Sequence, residues 1–215
     1  RDDAPPEVRS FIAQPKPLLV TKASLRSTVH RDAPMDAIGV KRFDHKGKAV
    51  GERLFVGLFT AAAYNRSPWE IPLLRHKVEQ AKKRAGFAPN SHDDKALQHI
   101  LDTFPRDELF QASEDDLYEI AIGILNLQER QRVALFVRRD PYERFVSCFV
   151  YLPRDRHTTA LRLQIQEILA NAFNGKVSTW YTHMSEGPLA RLHIIIATPR
   201  QIPNVDLKDL ERQVA

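Results

Sequence analysis

The spacing of apolar residues changes several times along the chain, and each change predicts a different element. Four short apolar, β-branched runs predict β-strands at residues 18–22, 25–29, 37–43 and 53–60. The connection before the fourth run has Gly47 at its centre, which suits a hairpin turn that needs a positive φ. The first part of the chain is therefore expected to form an antiparallel sheet.

Helical spacing replaces this pattern after residue 66. Ser67 and Pro68 give a capping side chain followed by a proline at the first helical position, and the helix is expected to reach Arg84 before a glycine stop. Two more helices are predicted to begin after Ser91 and after Ser113, because apolar residues then recur with the helical period. The next run, residues 133–137, is short and β-branched, and it predicts a strand that returns to the first sheet.

The rest of the chain predicts a strand at 144–152, a helix at 158–173, strands at 176–184 and 189–197, and the start of another helix. This order is the βαββα part of a ferredoxin-like fold, whose last strand would lie beyond residue 215 or be missing. The predicted class is α+β: a mainly antiparallel sheet with three helices, then a partial ferredoxin-like unit. The predicted divisions are a leader or linker at 1–17 and domains at 18–140 and 141–215.

Alternation gives the strand at 144–152 two apolar faces. The predicted helix at 158–173 can cover the face with Val146, Cys148, Val150 and Leu152. The opposite face is aromatic, and a single helical layer leaves it open. We therefore expect it to pack on another domain or subunit, and the predicted interface residues are Phe145, Phe149, Tyr151 and Trp180.

Composition narrows the functional classes only slightly. The chain has 43% hydrophobic and 27% charged residues, which is enough apolar material for ordered cores. A net charge of +5 and a pI near 9.4 leave a nucleic-acid-binding module as an alternative, although the basic residues are scattered and nucleic acid is not the expected partner. The single cysteine and the lack of a long apolar run or signal peptide favour a cytoplasmic protein without a membrane span. The chain starts with Arg1 and stops within a helical pattern, so we expect a fragment of a longer polypeptide.

Catalytic patterns are missing from the sequence. No glycine-rich dinucleotide or phosphate-binding motif occurs, and no histidine spacing matches a metal site. If the last two strands pair with residue numbers that sum to about 373, His183 and His193 lie on opposite faces. The acidic pairs Asp93-Asp94 and Asp115-Asp116 lie in the first turns of predicted helices, where their negative charges interact favourably with the helix dipole. We therefore predict no catalytic, cofactor-binding or metal-binding residues.

Charged residues at both ends of the strand at 144–152 are the remaining candidates for ligand contacts: Arg138, Arg139, Arg154, Asp155 and Arg156. They either tie domains together or hold an anion such as the carboxylate of an amino-acid effector. Arg154, Asp155 and Arg156 lie in a strand-to-helix loop beside a helix N-terminus, which favours anions. This loop is the best candidate for a ligand site.

Several blocks of the chain resemble the non-catalytic N-terminal half of the large bacterial NAD-specific glutamate dehydrogenases. They are FTAAAY (59–64), SPWEIPLLR (67–75), HILDTFPRDELF (99–110) and RRDPYERFVSCFVYLPRDR (138–156). The later strand-helix-strand-strand unit also resembles the ACT-type regulatory fold, in which amino-acid effectors bind near the first strand-helix loop.

The resemblance implies that the whole polypeptide converts L-glutamate, NAD and water to 2-oxoglutarate, ammonium and NADH. It places the catalytic and NAD-binding residues outside these 215 residues, so the fragment itself is expected to hold no cofactor. The implied work of the fragment is oligomer assembly and effector sensing. Its expected partners are the rest of the same polypeptide, further copies of it and an amino-acid effector.

Overall fold

The computed structural model describes residues 16–29, 33–127, 132–184, 187–199 and 202–215. The predicted leader therefore lies almost entirely outside the described residues. The strands are β1 (Leu18–Ser27), β2 (Ala33–Phe43), β3 (Ala49–Gly57), β4 (Ala134–Arg139), β5 (Phe145–Pro153), β6 (Lys176–Met184) and β7 (Leu189–Ala197). The helices are α1 (Ala61–Asn65), α2 (Pro72–Ala85), α3 (His92–Asp102), α4 (Arg106–Gln111), α5 (Glu114–Leu127), α6 (Thr159–Ala172) and α7 (Leu207–Val214).

Tertiary contacts divide the described residues into two compact units. Unit 1 contains the described residues up to Gly86 together with Leu101–Glu114. Unit 2 contains Phe87–Ile100 together with the described residues from Asp115 to Ala215. This division does not coincide with the predicted boundary at residue 140, because β4 and all of α5 after Glu114 lie in unit 2.

The sheet of unit 1 is an antiparallel meander in the order β1-β2-β3. The two strands predicted at 18–22 and 25–29 are one strand, β1, whose register shifts between Lys22 and Arg26. The prediction of four strands is therefore wrong for this sheet. Gly47 turns the β2–β3 hairpin at φ +75°, as the sequence indicates, and the Asp44 side chain accepts bonds from the backbone N–H groups of Lys46 and Lys48.

Ionic and polar contacts fix the helices of unit 1. Lys22 Nζ lies 2.6 Å from Asp36 Oδ1 on β2 and 3.0 Å from Asp107 Oδ1 on α4. Tyr64 Oη donates to the same oxygen of Asp107 at 2.9 Å. Burial alone lowers the pKa of Lys22, but the carboxylates of Asp107 and Asp36 outweigh it and raise that pKa. The lysine therefore stays charged and links β1, β2 and α4.

A second lysine closes the C-terminal end of α4. Lys77 Nζ, on α2, donates to three carbonyl oxygens, those of Leu109, Phe110 and Ala112, at 3.0, 2.9 and 2.7 Å. The last carbonyls of a helix have no partner within the helix and carry partial negative charge, so an ammonium group satisfies them well. Lys77 thereby attaches the short helix α4 to α2.

The sheet of unit 2 has the order β4-β5-β7-β6, and every neighbouring pair is antiparallel. The predicted bounds of β6 and β7 are confirmed, and β5 starts and ends one residue later than predicted. The prediction that residues 133–137 return to the first sheet is wrong, because β4 pairs with β5 from Ala134↔Tyr151 to Arg139↔Val146.

β4 changes the interpretation of the ferredoxin-like unit. In that fold, the strand beside the first strand is the last one in the sequence. Here β4 lies beside β5, although it precedes β5 in the chain. The prediction that the fourth strand lies beyond residue 215 or is missing is therefore wrong, because in the described residues β4 takes the place of that strand.

One face of this sheet carries a hydrophobic core. Alternate β5 residues, including the fully buried Cys148, pack with β7 against α6 and α7, as the alternation predicts. Ile165 and Leu169 are the central α6 contributors, and Leu210 and Val214 come from α7. Helix α6 ends at Ala172, and Asn174, two residues later, adopts the left-handed conformation with a φ of +48°.

Helix α5 packs on the opposite face. A Cβ added at Gly123 would lie 2.3 Å from an atom of the Phe136 ring on β4, so the helix and the ring are in direct contact. None of the helices in the described residues is long and apolar enough to cross a membrane.

Candidate effector and interface residues

The β4–β5 turn is closed by an ion pair within the turn itself. Asp140 accepts hydrogen bonds from Arg144 Nε at 2.7 Å, from its terminal nitrogen at 3.0 Å and from its backbone N–H at 3.2 Å. The Asp140 side chain is only 1% exposed. Glu143 adopts a φ of +56° in the same turn. This bidentate pair fixes the hairpin connection and leaves Asp140 no accessible oxygen for an external ligand.

Arg138 and Arg139 also make internal contacts. Arg138 is 2% exposed, and its guanidinium carbon lies 5.5 Å from the centre of the Phe145 ring. Arg139 donates to the carbonyl oxygen of Pro203 at 2.8 Å, which ties the end of β4 to the segment before α7. The geometry at these two arginines therefore favours structural ties over an anion clamp.

Arg154, Asp155 and Arg156 form an exposed 3₁₀ turn at the other end of β5. The Arg154 N–H donates to the carbonyl oxygen of Pro188 at 2.9 Å. Helix α6 follows directly, and Thr158 caps it by accepting a bond from the Leu161 N–H. Basic side chains and a helix N-terminus thus meet at an accessible point.

The structure does not bring the two groups of arginines together. Arg138 lies opposite Ser147 on β5, and Arg154 follows Ser147 by seven residues. At ~3.3 Å per strand residue, the separation along the sheet is on the order of 20 Å. One small anion cannot contact both groups, so Arg154, Asp155 and Arg156 alone remain as an effector candidate.

The predicted aromatic interface is mostly inside the molecule. Phe149 is 0% exposed and Tyr151 is 9% exposed. The His193 ring stacks on Phe149 with centroids 4.5 Å apart, and Phe136 meets Tyr151 edge-on at 5.9 Å. The prediction that this face lacks cover is wrong for these two residues, because α5 lies on this face within the same unit.

The other two predicted interface residues are more accessible. Phe145 is half-buried at the start of β5, and Trp180 is 42% exposed on the edge strand β6. Trp180 pairs with Ile194, so it lies on the α6 side, opposite Phe149. Arg162 of α6 lies over the Trp180 ring at 4.0 Å. The four predicted interface residues therefore do not share one surface.

A register shift in β6 explains why Trp180 lies on the opposite face of the sheet from Phe149. Val177 pairs with Ile196, but Thr179 pairs with Ile195, so one extra residue is accommodated between them. From there the paired numbers sum to 374, and His193 faces Tyr181 while His183 faces Arg191. Because paired residues share a face, His183 and His193 lie on the same face, and the prediction of opposite faces is wrong.

Two groups on this face have shifted pKa values. Burial raises the pKa of Tyr151, against the opposing effect of Arg191. Partial burial lowers the pKa of His183, and the nearby Arg191 and His99 act on it in the same direction. Both shifts favour the neutral form.

The sequence interpretation missed a buried polar pair in the sheet. Ser147 Oγ and His193 Nε2 share a hydrogen bond of 2.8 Å. Ser147 is 0% exposed and His193 is 5% exposed, so substrate cannot reach the serine. A polar residue inside each of two apolar runs was the signal that could have indicated the pair. In the part of the chain that the structure describes, no three His, Cys, Asp or Glu side chains are grouped to hold a metal ion.

The fold is α+β, and most of the polar clusters described above hold strands, turns and helices together. Two family models match it: residues 134–215 match the ACT2 domain of glutamate dehydrogenase, and residues 71–130 match its helical motif 1. The first match begins at the first residue of β4, in agreement with the place of β4 in the ferredoxin-like sheet.

Curated relatives extend the similarity to the whole chain. Proteins named NAD-specific glutamate dehydrogenase are 38% identical over 215 residues in Halomonas elongata, 37% over 206 in Pseudomonas aeruginosa and 35% over 205 in Mycobacterium tuberculosis. These alignments cover 100, 95 and 92% of this chain but only 13, 13 and 12% of the relatives. The chain belongs to the family of large NAD-specific glutamate dehydrogenases and corresponds to part of their N-terminal region.

Proposed function

We propose that this chain is a regulatory and assembly region of a cytoplasmic NAD-dependent glutamate dehydrogenase. The whole polypeptide would oxidise L-glutamate with NAD and water to 2-oxoglutarate, ammonium and NADH. Catalysis and NAD binding would belong to parts of the polypeptide outside these residues. The observation that carries the proposal is the similarity of the chain to a small part of three relatives that bear this name.

Effector sensing is proposed for the turn Arg154–Arg156. Its arginine side chains are exposed, and the turn leads directly into the N-terminus of α6. A guanidinium group pairs well with a carboxylate, and a helix N-terminus favours negative charge. The proposed ligand is therefore an amino acid or another small carboxylate.

Assembly into a homo-oligomer is proposed to use the edge strand β6. Trp180 and Tyr181 are 42% and 57% exposed on its two faces, and Met184 is 44% exposed at its end. Large exposed apolar side chains on an edge strand are typical of association surfaces. Phe149 and Tyr151 are buried, so they cannot contribute to this surface.

A panel of amino acids tested by thermal shift examines the effector proposal. A ligand that binds only the folded state raises the melting temperature. We expect one amino acid to do so at millimolar concentration, and Arg154→Ala to abolish the shift. Arg212→Ala is the matched control, because Arg212 is 76% exposed on α7. An absence of any shift, or an equal shift in Arg154→Ala, would contradict the proposed site.

Turnover and mass measurements examine the rest of the proposal. The chain is expected to produce no NADH from glutamate and NAD, while the longer polypeptide that contains it does. Sedimentation should show self-association that Trp180→Ser weakens. If both the chain and the longer polypeptide are strictly monomeric, the proposed assembly role is contradicted.

A further inference from the structure

Strand β3 exposes several apolar side chains to solvent. Leu54, Phe55 and Val56 are 60%, 57% and 43% exposed, and we name these three residues the β3 surface; Val50, earlier on the strand, is 44% exposed. Along the whole strand, every residue after Ala49 is exposed. A nine-residue strand with this exposure is unusual for a protein surface in water.

The β3 surface is open on both faces of the sheet. Successive side chains of a strand point to opposite faces, so Leu54 and Val56 lie on one face and Phe55 on the other. Phe55 pairs with Ile38, and on the same face Val40 pairs with Leu18. Val40 and Leu18 are 37% and 36% exposed, so the apolar surface continues across all three strands.

The edge of β3 is open as well. β3 is the last strand in the order β1-β2-β3, so one side of its backbone has no neighbouring strand among the described residues. Natural edge strands are protected by charges, prolines or bulges. The register shift of this hairpin lies near Phe43 and Ala49, away from the stretch from Leu54 to Val56. Two exposed charged residues, Glu52 and Arg53, directly precede that stretch, but the stretch itself carries neither a charge nor a proline.

We propose that another segment of the same polypeptide, outside these 215 residues, packs on the β3 surface and adds a strand beside β3. The occupant must cover an edge and two faces, which a strand with an attached apolar layer can do. A second copy that pairs edge to edge extends the sheet but leaves both faces open. The inference rests on family membership and is independent of effector sensing.

The length of the relatives supports this choice of occupant. The chain corresponds to 13% of the Halomonas elongata protein, so most of such a polypeptide lies outside the matched region. A segment attached to the same chain binds intramolecularly, and this raises its effective concentration above that of a separate molecule when the linker can reach β3. Its expected chemistry is an extended, apolar, β-branched strand without charges opposite Leu54, Phe55 and Val56.

Hydrogen exchange measured by mass spectrometry tests the inference without any substitution. We expect backbone amides of residues 50–57 to exchange at least tenfold more slowly in the longer polypeptide than in the 215-residue chain. Peptides from α6 are the control and should exchange alike in both. Equal exchange of residues 50–57 in the two proteins would overturn the inference, whether those amides are protected in both or exposed in both.

A second copy gives a different result. Protection of β3 in the 215-residue chain that increases with protein concentration would overturn the proposed occupant in favour of self-pairing.

A paired substitution adds a separate readout. Phe55→Ser should leave the melting temperature of the 215-residue chain nearly unchanged and lower that of the longer polypeptide by several degrees. The control Arg53→Ser should leave both melting temperatures nearly unchanged. An equal effect of Phe55→Ser in both proteins would also contradict the inference.

Discussion

Replacing Gly175 with alanine tests the closest backbone approach in unit 2. Gly175 follows α6 and precedes β6, and the end of β7 passes directly beside it. A Cβ at this position would lie 2.5 Å from the carbonyl oxygen of Ala197 and 2.6 Å from Cγ2 of Ile196. The oxygen belongs to the backbone of a paired strand, so it cannot move away without disturbing the β6–β7 ladder.

The expected cost follows from two opposing effects. Overpacking a well-filled site typically costs about 1–3 kcal/mol. Alanine also restricts the unfolded chain, which returns about 0.4–1 kcal/mol of stability. The net loss is therefore about 1–2 kcal/mol, which corresponds to a fall in melting temperature of roughly 2–8 °C for a chain of this length.

Urea unfolding followed by tryptophan fluorescence measures this loss. Trp180 lies on β6 and reports on the sheet of unit 2. Gly57→Ala is the matched control, because a Cβ at Gly57 meets no atom within 4 Å and its φ is not in the left-handed region. Gly175→Ala should unfold at lower urea than the native chain, and Gly57→Ala should not. A Gly175→Ala chain as stable as the control would refute the close approach between the start of β6 and the end of β7.

Two further predictions concern Lys77 and His183. Lys77→Met removes the donor for three carbonyl oxygens and should lower the free energy of unfolding by about 1–3 kcal/mol, whereas the same change at exposed Lys83 should have almost no effect in urea unfolding. His183 has a lowered pKa when folded, so the unfolded chain binds the proton more readily; its contribution to stability is complete above pH ~6.5 and is lost as the pH falls through the folded pKa. His183→Gln should therefore make stability fall less between pH 7 and pH 5, and an unchanged pH dependence would contradict this assignment.

Local sequence signals predicted the elements of unit 2 well. Alternating apolar residues between turn signals predict β6 and β7, and apolar residues that recur with the helical period predict α6. The six-residue helix α4 is too short to show a period, so the sequence does not predict it. The sequence predicts two strands in place of β1 because the middle of β1 lacks alternation, where the register shifts between Lys22 and Arg26.

The choice of strand partners was less predictable. The sequence of β4 shows that it is a strand, but not which sheet it joins, since that depends on contacts between distant residues. Likewise, the register shift between Val177 and Thr179 moves Trp180, Tyr181 and His183 to the other face, and no residue type there indicates it. The sequence also does not show which of the candidate arginines lie together. Those at the two ends of β5 are near in sequence but far apart along the strand.

The early position of β4 in the chain has a consequence for how unit 2 folds. β4 and β5 are joined by a short turn, and β6 and β7 are also neighbours in the sequence. The sheet therefore consists of two pairs of sequential strands, and among the described strands of this sheet the β5–β7 pairing is the one that closes a long loop. Local pairings form quickly and distant ones slowly. We therefore expect each pair to form first, and the docking of β5 on β7, with α6 packed against them, to limit the folding rate.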